Sequence, residues 1–272
     1  MEHQISLDGK VALVTGAGRG LGFSMTTSLC KAGARVIAID RDPKLLEKLA
    51  GQSDQVIVPE VGEVSSGQDM ERIVASSKDR FGRIDVVISN AGIGIASIRE
   101  DYHNNPIRFW EVDPEVFTQF LKVNAVALLR LSNLVVPDMV KQGFGRIITV
   151  TTSLGTMIRP GMFPYGSSKA ANEALASAMA GDLEGTGVSV NVLIPGGAAN
   201  TAFVPDADGL DRSKLVDPLV MGPPAVWLAS DLSDGFTGRR VIAKDWDLSV
   251  PPNQAAEKCS EPIAWSQFIQ PV

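Results

Sequence analysis

The sequence predicts a single α/β domain of the doubly wound type, in which a parallel β-sheet carries helices on both faces. Short runs of apolar, mostly β-branched residues recur along the chain, and segments with helical periodicity follow them. Glycine and other small residues follow several of these runs, where open parallel sheets bind ligands. At 272 residues, with 44 % hydrophobic and 21 % charged residues, the chain can bury the core of one large domain.

The first predicted strand, residues 10–15, leads into a glycine-rich turn with the sequence TGAGRGLG. Gly16, Gly20 and Gly22 remove side chains where a backbone must come close to another group. The helix that begins near Gly20 points free N–H groups and the positive end of its dipole at the turn. This pattern favours a bound pyrophosphate, and a tight turn without a ligand is the alternative.

The second predicted strand, residues 34–39, ends at Asp40, 24 residues after Gly16. An acidic side chain at this position can accept hydrogen bonds from an adenosine ribose and repel a 2′-phosphate. Asp40 therefore favours NAD. Arg19 and Arg41 could instead pair with that phosphate, so NADP stays the alternative.

The later segments continue the alternation of strands and helices. We expect a domain over residues 1–250, with substrate loops near 93–112 and 198–221 and a tail over 251–272. The tail contains Trp265, Phe268 and Ile269, and it is either disordered or docked on the site or on a neighbouring subunit. Strands are predicted over 55–58, 84–89, 145–151, 188–194 and 239–244, and helices over 43–50, 67–81, 114 to 137 or 139, 165 to about 183, and 223–230.

The composition argues against several classes of protein. A net charge of -6 gives no general attraction to nucleic acid or to an anionic membrane. No apolar run approaches the roughly 18 residues of a membrane span, and the first ten residues lack a secretory h-region, so we expect a cytoplasmic protein. Cys30 and Cys259 have no metal-ligand spacing, and His3 and His103 are too few for a zinc site or a Ser-His-Asp triad. We therefore expect no metal.

Tyr165 and Lys169 are four residues apart at the start of a predicted helix, so they share one face about 6 Å apart. A lysine ammonium there would stabilise tyrosinate and lower the tyrosine pKa. Because histidine is scarce, Tyr165 is the best candidate for a proton carrier. A surface pair with no role is the alternative.

These segments, taken in order, resemble the short-chain dehydrogenase/reductase family over roughly residues 5–245. The glycine turn and Asp40 are followed by Asn90-Ala91-Gly92, Asn124, TTS at 151–153, YGSSK at 165–169 and PGG at 195–197. The resemblance implies a Rossmann-type domain that binds NAD through Gly16, Arg19, Gly20, Leu21, Gly22, Asp40, Arg41, Asn90, Ala91, Gly92, Tyr165, Lys169, Pro195, Gly196 and Thr201.

The resemblance also implies the catalytic roles. Tyr165 would be the acid/base, Lys169 would lower its pKa and bind the nicotinamide ribose, and Asn124 would support a proton-relay water. The family's serine is replaced by Thr152, with Ser153 as the neighbouring candidate, and a threonine hydroxyl can donate the same bond. The chain also departs from the family pattern at Glu63, Ser89, Ala127 and Thr201.

The predicted function is hydride transfer between NAD(H) and a secondary alcohol or ketone that is apolar or cyclic. An NADP-linked ketone reductase is one alternative, and a catalytically silent nucleotide-binding regulatory protein is another. The resemblance implies a homo-oligomer, a tetramer or a dimer. Side chains expected around the substrate are Met157, Met162, Phe163 and Phe203, with Arg99, Arg108 or Arg159 as possible partners of a carboxylate.

Overall fold

The structure, a computed structural model, describes residues 5–51 and 57–265. Its strands are β1 Val11–Thr15, β2 Arg35–Asp40, β3 Ile57–Val61, β4 Val86–Ser89, β5 Gly145–Val150, β6 Val188–Ile194, β7 Arg239–Ile242 and β8 Ser260–Pro262. Its helices are α1 Gly20–Lys31, α2 Pro43–Ala50, α3 Gly67–Phe81, α4 Pro114–Leu121, α5 Ala127–Gln142, α6 Leu154–Met157, α7 Tyr165–Asp182, α8 Gly222–Ala229 and α9 Pro252–Lys258.

The strands form one sheet in the order β3-β2-β1-β4-β5-β6-β7-β8. All neighbouring strands are parallel except β8, which runs antiparallel to β7. The predicted doubly wound parallel sheet is confirmed. The chain order reverses direction between β1 and β4, which is where such sheets leave a crevice for a ligand.

The sheet is buried on both faces, which explains why its central strands are almost continuously apolar. Every residue of β1, β4, β5 and β6 is buried. Alternate residues of β1 point to opposite faces: Ala12 and Val14 pack in one core cluster, and Val11 and Leu13 pack in the other. Helices α1, α2 and α8 cover the first cluster, and α3, α5 and α7 cover the second.

The predicted long helix after residue 114 is helical throughout, but it contains a π-turn over Lys122–Val126 between α4 and α5. It also runs past its expected end at residue 137 or 139. Pro137 lies inside α5, which ends at Gln142 and is followed by Gly143 with φ 66°. The stretch Pro114–Gln142 is long and apolar enough to cross a membrane, contrary to our expectation, but half of its most apolar window is buried inside the protein. This burial is typical of a core helix.

The third and the last predicted strands differ from the structure in their bounds, and the other predicted strands differ by at most two residues at either end. The third strand covers 57–61 instead of 55–58, and residues 52–56 lie outside the described part. It is an edge strand, where Pro59 is tolerated. The last predicted strand ends at Ile242, because residues 243–245 form a 3-10 turn.

The chain continues its sheet beyond the expected boundary at residue 250. In the predicted tail, α9 leads into β8, which pairs with β7, and Trp265 packs against the core. The predicted tail residues up to 265 therefore complete the domain's own sheet, whereas Phe268 and Ile269 lie outside the described residues.

Candidate active site

A cavity of about 790 Å³ opens at the carboxyl ends of the central strands. This volume is typical of small-molecule sites, which range from about 300 to 1,000 Å³. One side of the cavity contains the glycine turn after β1 and the end of β2. The other side contains the segment after β5 and the start of α7.

The glycine turn is shaped so that only glycine fits at several positions. Gly16 and Gly20 have φ angles of 62° and 57°. A Cβ on Gly16 would lie 3.0 Å from the Ala91 Cα atom, and a Cβ on Gly22 would lie 2.0 Å from the Gly16 carbonyl oxygen. No side chain of the described residues caps the N-terminus of α1, so its first N–H groups are available to an anion. The turn therefore fits a pyrophosphate.

Asn90 links the end of β4 to this turn through hydrogen bonds. Its side-chain amide donates to the carbonyls of Thr15 at 2.9 Å and Gly16 at 3.1 Å. The Thr15 hydroxyl in turn accepts hydrogen bonds from the backbone N–H groups of Asn90 and Ala91, both at 3.0 Å. Asn90 lines the cavity, and these bonds show that it also holds the turn in place.

Asp40 lies at the end of β2 with its carboxylate fixed by backbone groups. One oxygen accepts a hydrogen bond from the Gly18 N–H at 3.0 Å, and the other accepts one from the Asp42 N–H at 3.2 Å. Arg19 and Arg41 line the same part of the cavity. Neither arginine forms an ion pair with a carboxylate of the described residues. The site thus presents a fixed negative group flanked by two cations.

Tyr165 is the first residue of α7, and its hydroxyl lies beside the Thr152 side chain. Burial raises the pKa of Tyr165 to about 12, because a phenolate loses its hydration there, and the neighbouring Thr152 side chain opposes this increase. The phenol of Tyr102 raises the pKa slightly further. The direction is opposite to the lowering that we expected from Lys169.

Lys169 lies one helical turn beyond Tyr165 and is 4 % exposed. Its ammonium donates to the carbonyl oxygen of Val150 at 2.8 Å. Burial lowers the pKa of Lys169 to about 8, and the carboxylate of Glu173 partly opposes this effect. Loss of hydration is the largest cause of both pKa shifts, and the lowering of the Tyr165 pKa by the Lys169 ammonium stays a prediction.

Asn124 lies in the π-turn between α4 and α5, a type of turn that often occurs at functional sites. Its side-chain amide bonds to the backbone of Ile93 at 2.9 and 3.0 Å, and its backbone carbonyl accepts from Asn172 at 2.6 Å. A Cβ on Gly92 would lie 3.1 Å from Asn124 Oδ1 and 3.5 Å from Lys169 Nζ. Asn124 therefore supports the wall beside Lys169, and its role in a proton relay stays a prediction.

The structure separates the two candidates for the serine role. The Ser153 hydroxyl accepts from the Thr156 N–H at 3.1 Å and lies 2.7 Å from the Thr156 hydroxyl, because Ser153 caps α6. Thr152 instead lines the cavity and contacts Tyr165. The hydroxyl that is placed to meet a substrate oxygen is that of Thr152.

The other expected residues divide into those at the cavity and those away from it. Met162 and Phe203 line it, and the Phe203 ring lies 5.7 Å from that of Tyr165. Met157 is buried in the core, and Phe163 packs on Phe117 with ring centroids 4.9 Å apart. The remaining expected cofactor residues that line the cavity are Leu21, Ala91, Gly92, Pro195, Gly196 and Thr201, whereas Gly22 does not line it.

Of the three arginines proposed for a carboxylate, only Arg159 lines the cavity. Arg99 pairs with Glu111 at 3.3 Å, and Arg108 lies outside the cavity wall. The substrate loop predicted near residues 93–112 contributes Tyr102 and His103 to the cavity wall, and the centroids of their rings are 4.1 Å apart. Sequence reasoning gave these two residues no role, although they were the only aromatic side chains among polar residues at their end of that segment.

Sequence reasoning also missed the buried pair Glu173 and Arg240 behind the site, which are 0 % and 1 % exposed. The sequence signal that could have identified this buried pair was two adjacent arginines at the start of an otherwise apolar strand. Among the residues described, no group of three His, Cys, Asp or Glu side chains could hold a metal ion. Cys30 and Cys259 are both buried free thiols.

Comparison with known proteins gives consistent matches. Residues 10–208 match the family model described as short chain dehydrogenase. The chain is 31 % identical to a 3-oxoacyl-[acyl-carrier-protein] reductase of Thermotoga maritima over 255 residues, covering 90 % of this chain and 99 % of that protein. It is 30 % identical to a cyclohexanol dehydrogenase of a Rhodococcus species over 275 residues, covering 92 % and 99 %.

A solved structure agrees with the fold. The crystal structure of 3-ketoacyl-(acyl-carrier-protein) reductase from Brucella melitensis, complexed with NADH, superimposes with a TM-score of 0.75 at 28 % identity. The match covers 87 % of this chain and 97 % of that one.

Proposed function

The chain belongs to the short-chain dehydrogenase family, and from this premise we propose that it transfers a hydride between NAD(H) and a secondary alcohol or ketone. The observation that carries the proposal is the position of Tyr165, Thr152 and Lys169 in the same cavity as the glycine turn. One end of that cavity fits a dinucleotide, and the other presents a partly buried phenol for proton transfer.

The residues that would hold the nucleotide fit it chemically. The turn at Gly16 to Gly22 would bind the pyrophosphate, and the fixed carboxylate of Asp40 would accept hydrogen bonds from the adenosine ribose. NAD(H) supplies the hydride acceptor or donor when bound. Because Arg19 and Arg41 flank Asp40, an NADP-linked ketone reductase is the second candidate.

The phenol of Tyr165 would move the proton. With its pKa raised to about 12 by burial, it is protonated at neutral pH, which suits donation to the oxygen of a ketone. The Thr152 hydroxyl would hold that oxygen, and Lys169 would bind a hydroxyl of the nicotinamide ribose. Oxidation of an alcohol requires the phenol to lose its proton first, so we propose that ketone reduction is the easier direction near pH 7.

The substrate side favours an apolar or cyclic carbon frame. Its wall includes Pro106, Pro160, Met162, Phe203 and Val204, and these side chains offer no hydrogen-bond donor. The match to a cyclohexanol dehydrogenase supports the same class of substrate.

We also propose that copies associate through the helix that carries Asn124. Val126 and Leu129 are 39 % and 40 % exposed on this stretch, and an apolar outer face favours helix packing. Light scattering after gel filtration tests this point, and a monomer at micromolar concentration would contradict it.

The test of the proposed function is turnover followed by NADH absorbance. Cyclohexanol and cyclohexanone are the first probes, followed by a panel of linear secondary alcohols and ketones. Tyr165→Phe should lower kcat by about 100- to 10,000-fold, the range for loss of a general acid, while the Kd for NAD changes less than twofold. Unchanged turnover in that variant would refute the mechanism. Binding of NAD without turnover of any probe by the unmodified protein would favour a regulatory nucleotide-binding protein.

A further inference from the structure

A buried ion pair lies directly behind the candidate active site, between Glu173 of α7 and Arg240 of β7. We infer that these two residues position the catalytic centre by holding the segment that carries Thr152, and so fix the Thr152 hydroxyl against Tyr165. This inference rests on the proposed function, in which the Thr152 hydroxyl holds the substrate oxygen. Neither Glu173 nor Arg240 lines the cavity, so they would act through Thr152.

The guanidinium of Arg240 bonds to two elements at once. Its Nη1 atom lies 2.7 and 2.8 Å from the two carboxylate oxygens of Glu173, and its Nη2 atom donates to the backbone carbonyl of Thr152. A guanidinium offers several donors in a rigid plane, so one side chain can hold both partners at a fixed separation.

The carbonyl of Thr152 needs such a partner because it lies beyond the last paired residue of its strand. The ladder between β5 and β6 ends at Val150 and Leu193. Arg240 pairs with Val192 of β6, and its side chain extends past that strand to reach Thr152. The side chain thus replaces the hydrogen bond that the sheet no longer supplies at the point where the chain enters the site.

Glu173 also bonds to the segment that carries Thr152. Its carboxylate accepts a hydrogen bond from the Thr151 hydroxyl at 2.7 Å and one from the Ala264 N–H at 3.2 Å. The Nε atom of Arg240 lies 3.3 Å from the carboxylate of Glu261 in β8. The pair therefore connects the end of β5, helix α7 and the segment that follows α9.

A contribution to folding stability is a weak explanation for a buried ion pair at this position. Burying two charges is costly, and well-packed apolar residues often serve the fold equally well. The chain offers a comparison, because Arg146 is also 1 % exposed and lies at the opposite end of β5. The Arg146 side chain bonds to Asp234 and to backbone carbonyls, including that of Ser230. Neither Arg146 nor Asp234 lines the cavity.

The test is a double-mutant cycle with Arg240→Lys and Thr152→Ala, measured as kcat for reduction of cyclohexanone by NADH. A lysine at this position cannot reproduce the fork, so we expect kcat to fall about 10- to 100-fold, as small misplacements of reacting groups do. Thr152→Ala removes the hydroxyl but keeps the carbonyl. In that background Arg240→Lys should change kcat less than about twofold, because coupled residues are not additive.

Arg146→Lys is the matched control, and it should lower the melting temperature without changing kcat. Equal losses from Arg240→Lys in both backgrounds, or no loss beyond that of Arg146→Lys, would overturn the inference. If Arg240→Lys does not fold, Glu173→Gln replaces it in the same cycle with the same expected pattern.

Failure of the proposed function gives a different result. No turnover of any probe by the unmodified protein would contradict the proposed function, and the crystal structure of Arg240→Lys then decides the inference. We expect the Thr152 side chain to lie farther from the Tyr165 hydroxyl in that structure than in the unmodified protein, and an unchanged position would overturn the positioning role. If Thr152→Ala alone leaves kcat unchanged, hydride transfer stands and the positioning role is refuted.

Discussion

Replacing Lys169 with methionine should stabilise the protein and strongly lower its turnover. Burial lowers the Lys169 pKa from 10.5 to about 8. Each pKa unit corresponds to about 1.36 kcal/mol, so the buried ammonium costs roughly 3 kcal/mol of folding free energy at pH 7. Methionine fills the space without a charge but leaves the Val150 carbonyl without its donor, a loss of about 1 kcal/mol. The expected net gain is roughly 2 kcal/mol.

The gain should depend on pH in a defined direction. The folded-state pKa of Lys169 lies below its unfolded-state value, so the full cost is present below about pH 8 and disappears as the pH rises toward 10.5. Urea unfolding followed by tryptophan fluorescence, at one protein concentration and without nucleotide, measures the difference at pH 7 and at pH 10. We expect the advantage of Lys169→Met at pH 7 and none at pH 10.

The control is Lys141→Met, since that side chain is 78 % exposed, and its effect should stay within about 0.5 kcal/mol at both pH values. A Lys169→Met variant that is less stable than the unmodified protein at pH 7 would refute the reasoning. So would an advantage that does not change with pH. Turnover of cyclohexanone should fall at least about 100-fold in the same variant.

Three further predictions concern the nucleotide end and the proton. Asp40→Ala should weaken NAD binding and strengthen NADP binding, because a fixed negative charge near the 2′-position is lost, and the ratio of the two Kd values measures this effect; an unchanged ratio would contradict it. Gly22→Ala should abolish NAD binding, because its Cβ would lie 2.0 Å from the Gly16 carbonyl, whereas Gly181→Ala on α7, where a Cβ meets nothing within 4 Å, should bind NAD normally. Between pH 6 and pH 7.5, kcat/KM for cyclohexanol oxidation should rise about tenfold per pH unit, while that for ketone reduction stays flat, because the Tyr165 pKa is about 12 and that of Lys169 is about 8. A reduction rate that peaks inside this range would contradict the assignment.

The sheet could be predicted from sequence because its strands are buried on both faces. Such strands read as continuous apolar runs, and β6 was predicted at its observed bounds, Val188–Ile194. Edge strands lack this signal, since they pair on one side only and carry polar residues. The predicted bounds of β3 were therefore wrong, because this strand contains Pro59 and Glu60. Strand β8, which contains Glu261 and Pro262, was not predicted.

The positions of the site residues could be expected from motif spacing, but their electrostatics could not. Spacing places Tyr165 and Lys169 on one helix face, yet it does not report how much water each loses. That loss determines both pKa values in the structure. The pair of Glu173 and Arg240 was missed for a related reason, because their contact joins residues 67 positions apart and depends on the order of strands in the sheet.

Neither edge strand of the sheet is suited to pairing with an additional strand. At one end β3 contains Pro59, and at the other β8 is three residues long and ends in Pro262, and proline has no N–H to donate to a further strand. Another protein chain can therefore form few backbone hydrogen bonds with either edge strand. A version of the protein shortened after residue 250 would lose β8, expose the backbone of β7, and be expected to aggregate through that bare strand.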